Sequence, residues 1–150
     1  MILDALLAYL HFAAIIMLFS FLTVEVMLAR QAITADRVLL LVRVDRWYFF
    51  AAMAALLTGL LRMFLGAKGA AFYAHNPVFM AKILLYFLIG ALSAPPTRQL
   101  LRWKKLLVAD ATFVVAEDEQ KKLRRYLMVE IHLAALLPLL AVLMSRGIGN

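Results

Sequence analysis

The chain has 150 residues, of which 66% are hydrophobic and 17% charged, with a mean hydropathy of +0.91. A water-soluble domain of this size leaves too much surface exposed to hide so much apolar side chain, so the bilayer is the expected solvent. The lack of cysteine excludes disulfides, thiolate metal sites and thiol nucleophiles, and the net charge of +7 sits beside apolar segments, where it sets topology better than it binds nucleic acid.

Four stretches are long enough to cross a hydrocarbon core that takes about 20 apolar residues. They run over residues 5–29, 47–65, 78–94 and 126–144. The prediction is an all-α, single-domain integral membrane four-helix bundle over residues 1–150. The first stretch is too long for a cleavable signal, and its leading flank carries Asp4 in place of a base. Pro95 and Pro96 are expected to end the third span, because proline lacks the amide donor and clashes with a continuing helix. Pro138 is a candidate kink in the fourth.

Basic residues crowd two loops. Residues 30–46 hold Arg30, Arg37, Arg43 and Arg46, and residues 95–125 hold Arg98, Arg102, Lys104, Lys105, Lys121, Lys122, Arg124 and Arg125. The opposite side has Lys68 in its loop, Arg62 and Lys82 at helix ends, and Arg146. The positive-inside rule then predicts cytoplasmic basic loops, both termini outside and a bacterial-type inner membrane. "EDEQKKLRR" places acid before base at helical spacing, as at the start of a helix, and reads either as a cytoplasmic lead-in to the fourth span or as a solvated loop that only sets topology.

Ionisable residues inside an apolar span are costly and face the bundle interior or a watery cavity. In the first span Asp4, His11, Leu18 and Glu25 recur every seven residues, a spacing that drifts only about 20° per step, so they form one inward stripe. Glu25 is expected to pair with Arg30 or Arg46 near the cytoplasmic end. Arg46 and Arg62 differ by about 160° of helical rotation, so only one of them faces the core well. Lys82 lies about a turn inside the third span, with Tyr86 and Ser93 near its face, and either snorkels or meets an anion. Glu130 and His132 differ by about 200°, so one faces inward and the other outward.

His11 either hydrogen-bonds a neighbouring helix or handles a proton or metal, and imidazole makes His11 and His132 the candidate metal ligands. Alternating spans place them roughly 9 Å apart in depth, whereas axial nitrogens on one iron are only about 4 Å apart, which disfavours ligation by both. Lys82 and Arg62 fall near the level of His11 with only Asp4 as a nearby acid, so this half should attract an anion.

A first-span histidine, "DRWYFF" opening the second span, "MAKILL" opening the third and "MVEIHLAA" in the fourth give the chain a family likeness. It resembles the HemJ-type protoporphyrinogen oxidases, which are similar to the CopD membrane domain, or a sister family of them. The resemblance implies a four-span bundle that binds haem b and oxidises protoporphyrinogen IX to protoporphyrin IX. It implies His11 as haem ligand and Arg46, Lys82 and Glu130 as catalytic positions. Arg62 and Lys82 are then candidates to hold propionates or a porphyrin or quinone substrate. The family's proline after the fourth-span acid is absent here, and "TVEV" replaces its proline–arginine late in the first span.

Three functions stay open. The first is a haem-b redox protein. The second is a cofactor-free transporter or metal-handling module, for which the scattered methionines are weak support because none pair at i, i+3 or i+4. The third is a structural or assembly subunit whose polar residues join helices, and a homodimer fits a bundle this small.

Overall fold

The structure, a computed structural model, describes residues 2–66 and 69–149; Lys68 lies outside them. It is all-helical. Helix α1 covers Ile2–Ala29, α2 Ala35–Leu65, α3 Gly69–Ala74, α4 Pro77–Ala109 and α5 Glu117–Ser145. The four long helices are each long and apolar enough to cross a membrane. They run up and down as a four-sided bundle in which α1 packs on α2, α2 on α4, α4 on α5 and α5 back on α1. One end carries the start of α1 and the end of α5 and is called here the termini end. The other carries the turns from α1 to α2 and from α4 to α5 and is called the loop end.

The helices end close to the apolar stretches at the termini end, and α1 ends with its stretch at Ala29, but α2, α4 and α5 run well past theirs at the loop end. Helix α2 starts at Ala35 and not near residue 47, with Thr34 as its N-cap accepting the Arg37 amide. The expected basic loop is therefore mostly helix. Hydropathy marks where lipid ends, whereas a helix ends where capping and packing end it. In this first stretch of α2, Val38, Leu41, Val42, Val44 and Asp45 turn inward while Arg43 and Arg46 stay exposed.

The prolines do not end the third span, which corrects the expectation from sequence. Helix α4 continues through Pro95 and Pro96 to Ala109. Two amide donors are lost, but Pro96, Leu100 and Trp103 are buried beyond them, and Thr97 donates its hydroxyl to Asp45 Oδ1 at 2.7 Å. Packing past the prolines holds the helix where local chemistry would break it. Helix α4 has 33 residues, about 50 Å against a hydrocarbon core of about 30 Å, so a helical stub projects beyond the lipid.

Helix α5 starts at Glu117, so this segment is a helical lead-in and not a solvated loop, with Glu117, Asp118 and Glu119 in the first turn where the helix dipole favours acid. Glu117 pairs with Lys121 one turn on at 2.7 Å. In the connection before it, the Thr112 hydroxyl and amide both donate to Asp110 Oδ1, at 2.6 and 2.8 Å, and hold that carboxyl below the usual range. Helix α5 runs on past Pro138.

The core sits at the loop end. Leu22, Val38, Leu41, Leu100, Trp103 and Leu123 are wholly buried there. Trp103 Nε1 donates to Glu119 Oε2 at 2.8 Å, Arg102 pairs with the same carboxylate, and Gln99 donates to the Glu119 carbonyl. Toward the termini end the packing thins. No described residue is fully buried beyond Ala55 on α2, before Ile89 on α4 or beyond Ala134 on α5.

Candidate functional site: a cationic cavity and a buried acid cluster

The thin end encloses a cavity of about 420 Å³, within the usual range for ligand pockets. His11 and Phe12 of α1, Gly59 and Arg62 of α2, Lys82 and Tyr86 of α4 and Pro138 of α5 line it, and Tyr73 of the short helix α3 closes one side. Most of the wall is aliphatic or aromatic.

His11 is oriented by its neighbours. Nδ1 lies 3.0 Å from Thr58 Oγ1, and that hydroxyl donates to the Ala54 carbonyl at 2.6 Å. With the threonine proton committed, Nδ1–H of a neutral imidazole is the donor, which leaves Nε2 with its lone pair. Gly59 makes room for the ring, since a Cβ there would stand 3.1 Å from His11 Cε1. Arg62 stacks over the Phe12 ring at 5.8 Å, and its buried Nε has no hydrogen-bond partner among the described residues. Among the described residues neither Arg62 nor Lys82 has an ion pair. The cavity therefore gathers two cationic side chains and one imidazole on an apolar wall.

A second polar group lies deeper, toward the loop end. Glu25, Asp45 and Glu130 are 1%, 7% and 0% exposed. They come from α1, α2 and α5, and Glu25 lies in electrostatic reach of the other two. The Tyr48 hydroxyl donates to Glu130 Oε1 at 2.6 Å, reaching across the diagonal of the bundle between helices whose backbones do not touch.

These placements sort the residues singled out from sequence. His11, Lys82 and Arg62 meet in the cavity. Leu18 and Glu25 do point inward as the seven-residue stripe predicts. Of the two arginines on α2, Arg62 lines the cavity and Arg46 is exposed. Glu130 is buried and His132 is exposed, with its Nδ1 on the Met128 carbonyl, as their opposed faces require. His132 is thus not beside His11, and no cluster of three metal-ligating side chains occurs among the described residues. Glu25 does not pair with Arg30 or Arg46. It is buried without an ion pair among the described residues, and Arg30 instead reaches the Met128 sulfur. Neither Arg46 nor Glu130 lines the cavity.

Asp45, Tyr48, Thr58, Gly59 and Thr97 were not singled out. Asp45 and Tyr48 carry a readable signal, because they fall at helical spacing with Val38 and Leu41 on the inward face of α2. Thr58, Gly59 and Thr97 become visible only once the facing helix is placed.

Fold and site define an integral membrane protein, a four-helix bundle with an apolar, internally cationic cavity. Residues 3–149 match the family described as predicted membrane protein DUF2214, and the chain belongs to it. No curated protein and no solved structure matches it, and nothing in these comparisons leads to the HemJ-type oxidases or CopD.

Proposed function

We propose that the cavity binds an amphipathic organic anion, and that haem b is the ligand whose chemistry uses all three polar wall groups. The observation that carries this reading is the convergence of His11, Lys82 and Arg62 on one otherwise apolar cavity. The residues fit a haem held by a single axial imidazole: His11 offers a nitrogen lone pair, and the two cations, without an ion pair among the described residues, suit propionates. They do not fit ligation by His11 and His132 together, because His132 is exposed and outside the cavity. When bound, haem supplies one-electron chemistry, and the chain supplies the ligand, neutralising charge and a water-poor wall. Oxidation of a porphyrinogen, with a quinone as acceptor, is the activity this ligand suggests. Of the four positions the HemJ resemblance implies, His11 and Lys82 support it by lying in the cavity, and Arg46 and Glu130 do not.

The absorption spectrum of the purified protein tests the reading. A Soret band is expected in the wild type and in His132→Ala, and its loss or displacement in His11→Ala. A protein that is colourless as purified and takes up no added haemin overturns the haem assignment. Equal loss in both variants overturns the single-histidine site.

We also propose that the loop end faces the cytoplasm of a cell with a bacterial-type inner membrane and that the termini end faces outward. The exposed basic collar on α2, α4 and α5 supports this. A cysteine placed at the exposed Ala109 should resist an impermeant label applied to intact cells, and ready labelling reverses the topology.

A further inference from the structure

We propose that Glu25, Asp45 and Glu130 form a proton-binding site inside the loop end, separate from the cavity and independent of its ligand. Each carboxyl comes from a different helix, and none is more than 7% exposed. Burying one carboxylate is costly, and burying three together without cations is far more so. The surroundings do not offset it. On α1 and in the turn that follows, Arg30 is exposed and bonded to Met128. On α2, Arg43 and Arg46 are exposed beside Asp45, and Tyr48 faces the cluster as a hydroxyl donor. On α4, the Thr97 hydroxyl is bound to Asp45 and Arg98 is exposed. On α5, Glu130 is buried, His132 is exposed, and the half-buried Arg124 donates to the Gln120 carbonyl.

The second observation is hydrogen bonding left undone. Glu25 Oε1 and Glu130 Oε2 are buried and have no hydrogen-bond partner among the described residues. Tyr48 and Thr97 each satisfy one oxygen of a neighbouring carboxyl, so the hydroxyls of the cluster are already committed. An unpartnered buried carboxyl oxygen within electrostatic reach of other carboxyls is completed by a proton, which turns an acceptor into a donor and removes the charge at the same time. A metal ion is a poorer occupant, because no three of these ligands converge on one point among the described residues. The chemistry is proton uptake alone: an O–H bond forms on a carboxylate, and no electron pair or leaving group moves.

The site also has a neighbour. The Tyr86 hydroxyl donates to the Ala52 carbonyl, one turn along α2 from Tyr48, and Tyr86 lines the cavity.

The test uses the full chain in phosphatidylcholine vesicles, labelled with ¹³C-glutamate and followed by infrared difference spectroscopy as the buffer is stepped from acid to alkaline. The expected result is a protonated-carboxyl carbonyl band that carries the label shift, exchanges slowly with D₂O and titrates reversibly. It should not respond to exchange of potassium for sodium. Glu25→Gln and Glu130→Gln should each remove part of the band while keeping the helix content and melting temperature, because glutamine copies a protonated carboxyl. Absence of a slowly exchanging labelled band in the wild type overturns the proposal. So does a sodium-dependent titration, which marks a metal-ion site, and so does an undiminished band in both variants. Loss of fold in both glutamine variants also overturns it, since it shows that charged carboxylates are needed there.

Discussion

The two ends of this bundle are built in opposite ways. The loop end is densely packed, basic on its outside and acidic within. The termini end is thinly packed, holds a cavity of about 420 Å³ and is cationic within. Thin packing is a cost to stability where it serves no purpose, because interiors normally close to crystal-like density. Here the dense end holds the helices together and the open end leaves space for a ligand. Four helices fixed at one end can keep a cavity at the other without collapsing onto it.

The largest test of this contrast is a truncation at each end. Trp103 is wholly buried, belongs to the hydrophobic core and donates to Glu119. Trp103→Ala is expected to cost about 3–5 kcal/mol, the range for removing a buried aromatic. Leu56→Ala, at a half-buried wall of the cavity, should fall at or below the low end of the about 2–5 kcal/mol usual for buried leucines, because the space beside it is already open. Thermal denaturation of the two variants in one detergent gives the comparison. Equal losses would mean that the termini end is as tightly packed as the loop end.

The next effect separates the two kinds of buried charge. Lys82→Met keeps the apolar stem and removes the ammonium group. It is expected to weaken binding of a carboxylate ligand or haem by about 1.5–3 kcal/mol, the range for hydrogen bonds to charged groups, with little change in stability. A titration of ligand into both proteins measures it. Unchanged haem content and affinity would show that the lysine reaches outward to lipid phosphates and that the cavity's cationic character rests on Arg62 alone.

How much of this was legible from sequence follows from which forces act locally. The lipid-facing parts are dictated by hydrophobicity, so the four spans and their ends beside the cavity could be read directly. The inward stripe of α1 followed from spacing alone, and so did the opposed faces of Glu130 and His132. The loop-end extensions were missed because an amphipathic helix outside lipid carries too many arginines to register as a span. The run through Pro95 and Pro96 was missed because it depends on Leu100 and Trp103 finding α5. For the site, the charged members His11, Lys82 and Arg62 were visible as costly exceptions in apolar helices. The fate of Glu25 was misjudged for a related reason. Nearness in depth to an arginine does not bring two side chains to the same face, and Arg46 points away. Thr58 and Gly59 gave no signal, since a threonine and a glycine in an apolar helix usually serve only to pack.

The smallest predicted effect concerns that glycine and splits stability from function. Gly59 lies inside α2, where alanine is favoured over glycine by about 1 kcal/mol on helix propensity. Against this, the added methyl would stand 3.1 Å from His11 Cε1, closer than side chains normally sit. The ring must shift by a few tenths of an ångström, and its bond to Thr58, worth about 0.5–1.5 kcal/mol, is the contact that gives. The two contributions oppose each other in folding, so Gly59→Ala should leave the melting temperature nearly unchanged. They do not oppose each other in the cavity, where only the displaced imidazole matters, so ligand affinity or the haem spectrum should change. A variant with a higher melting temperature and unaltered ligand binding would show that the ring has room to move, and that the position of His11 is not set by its fit against α2.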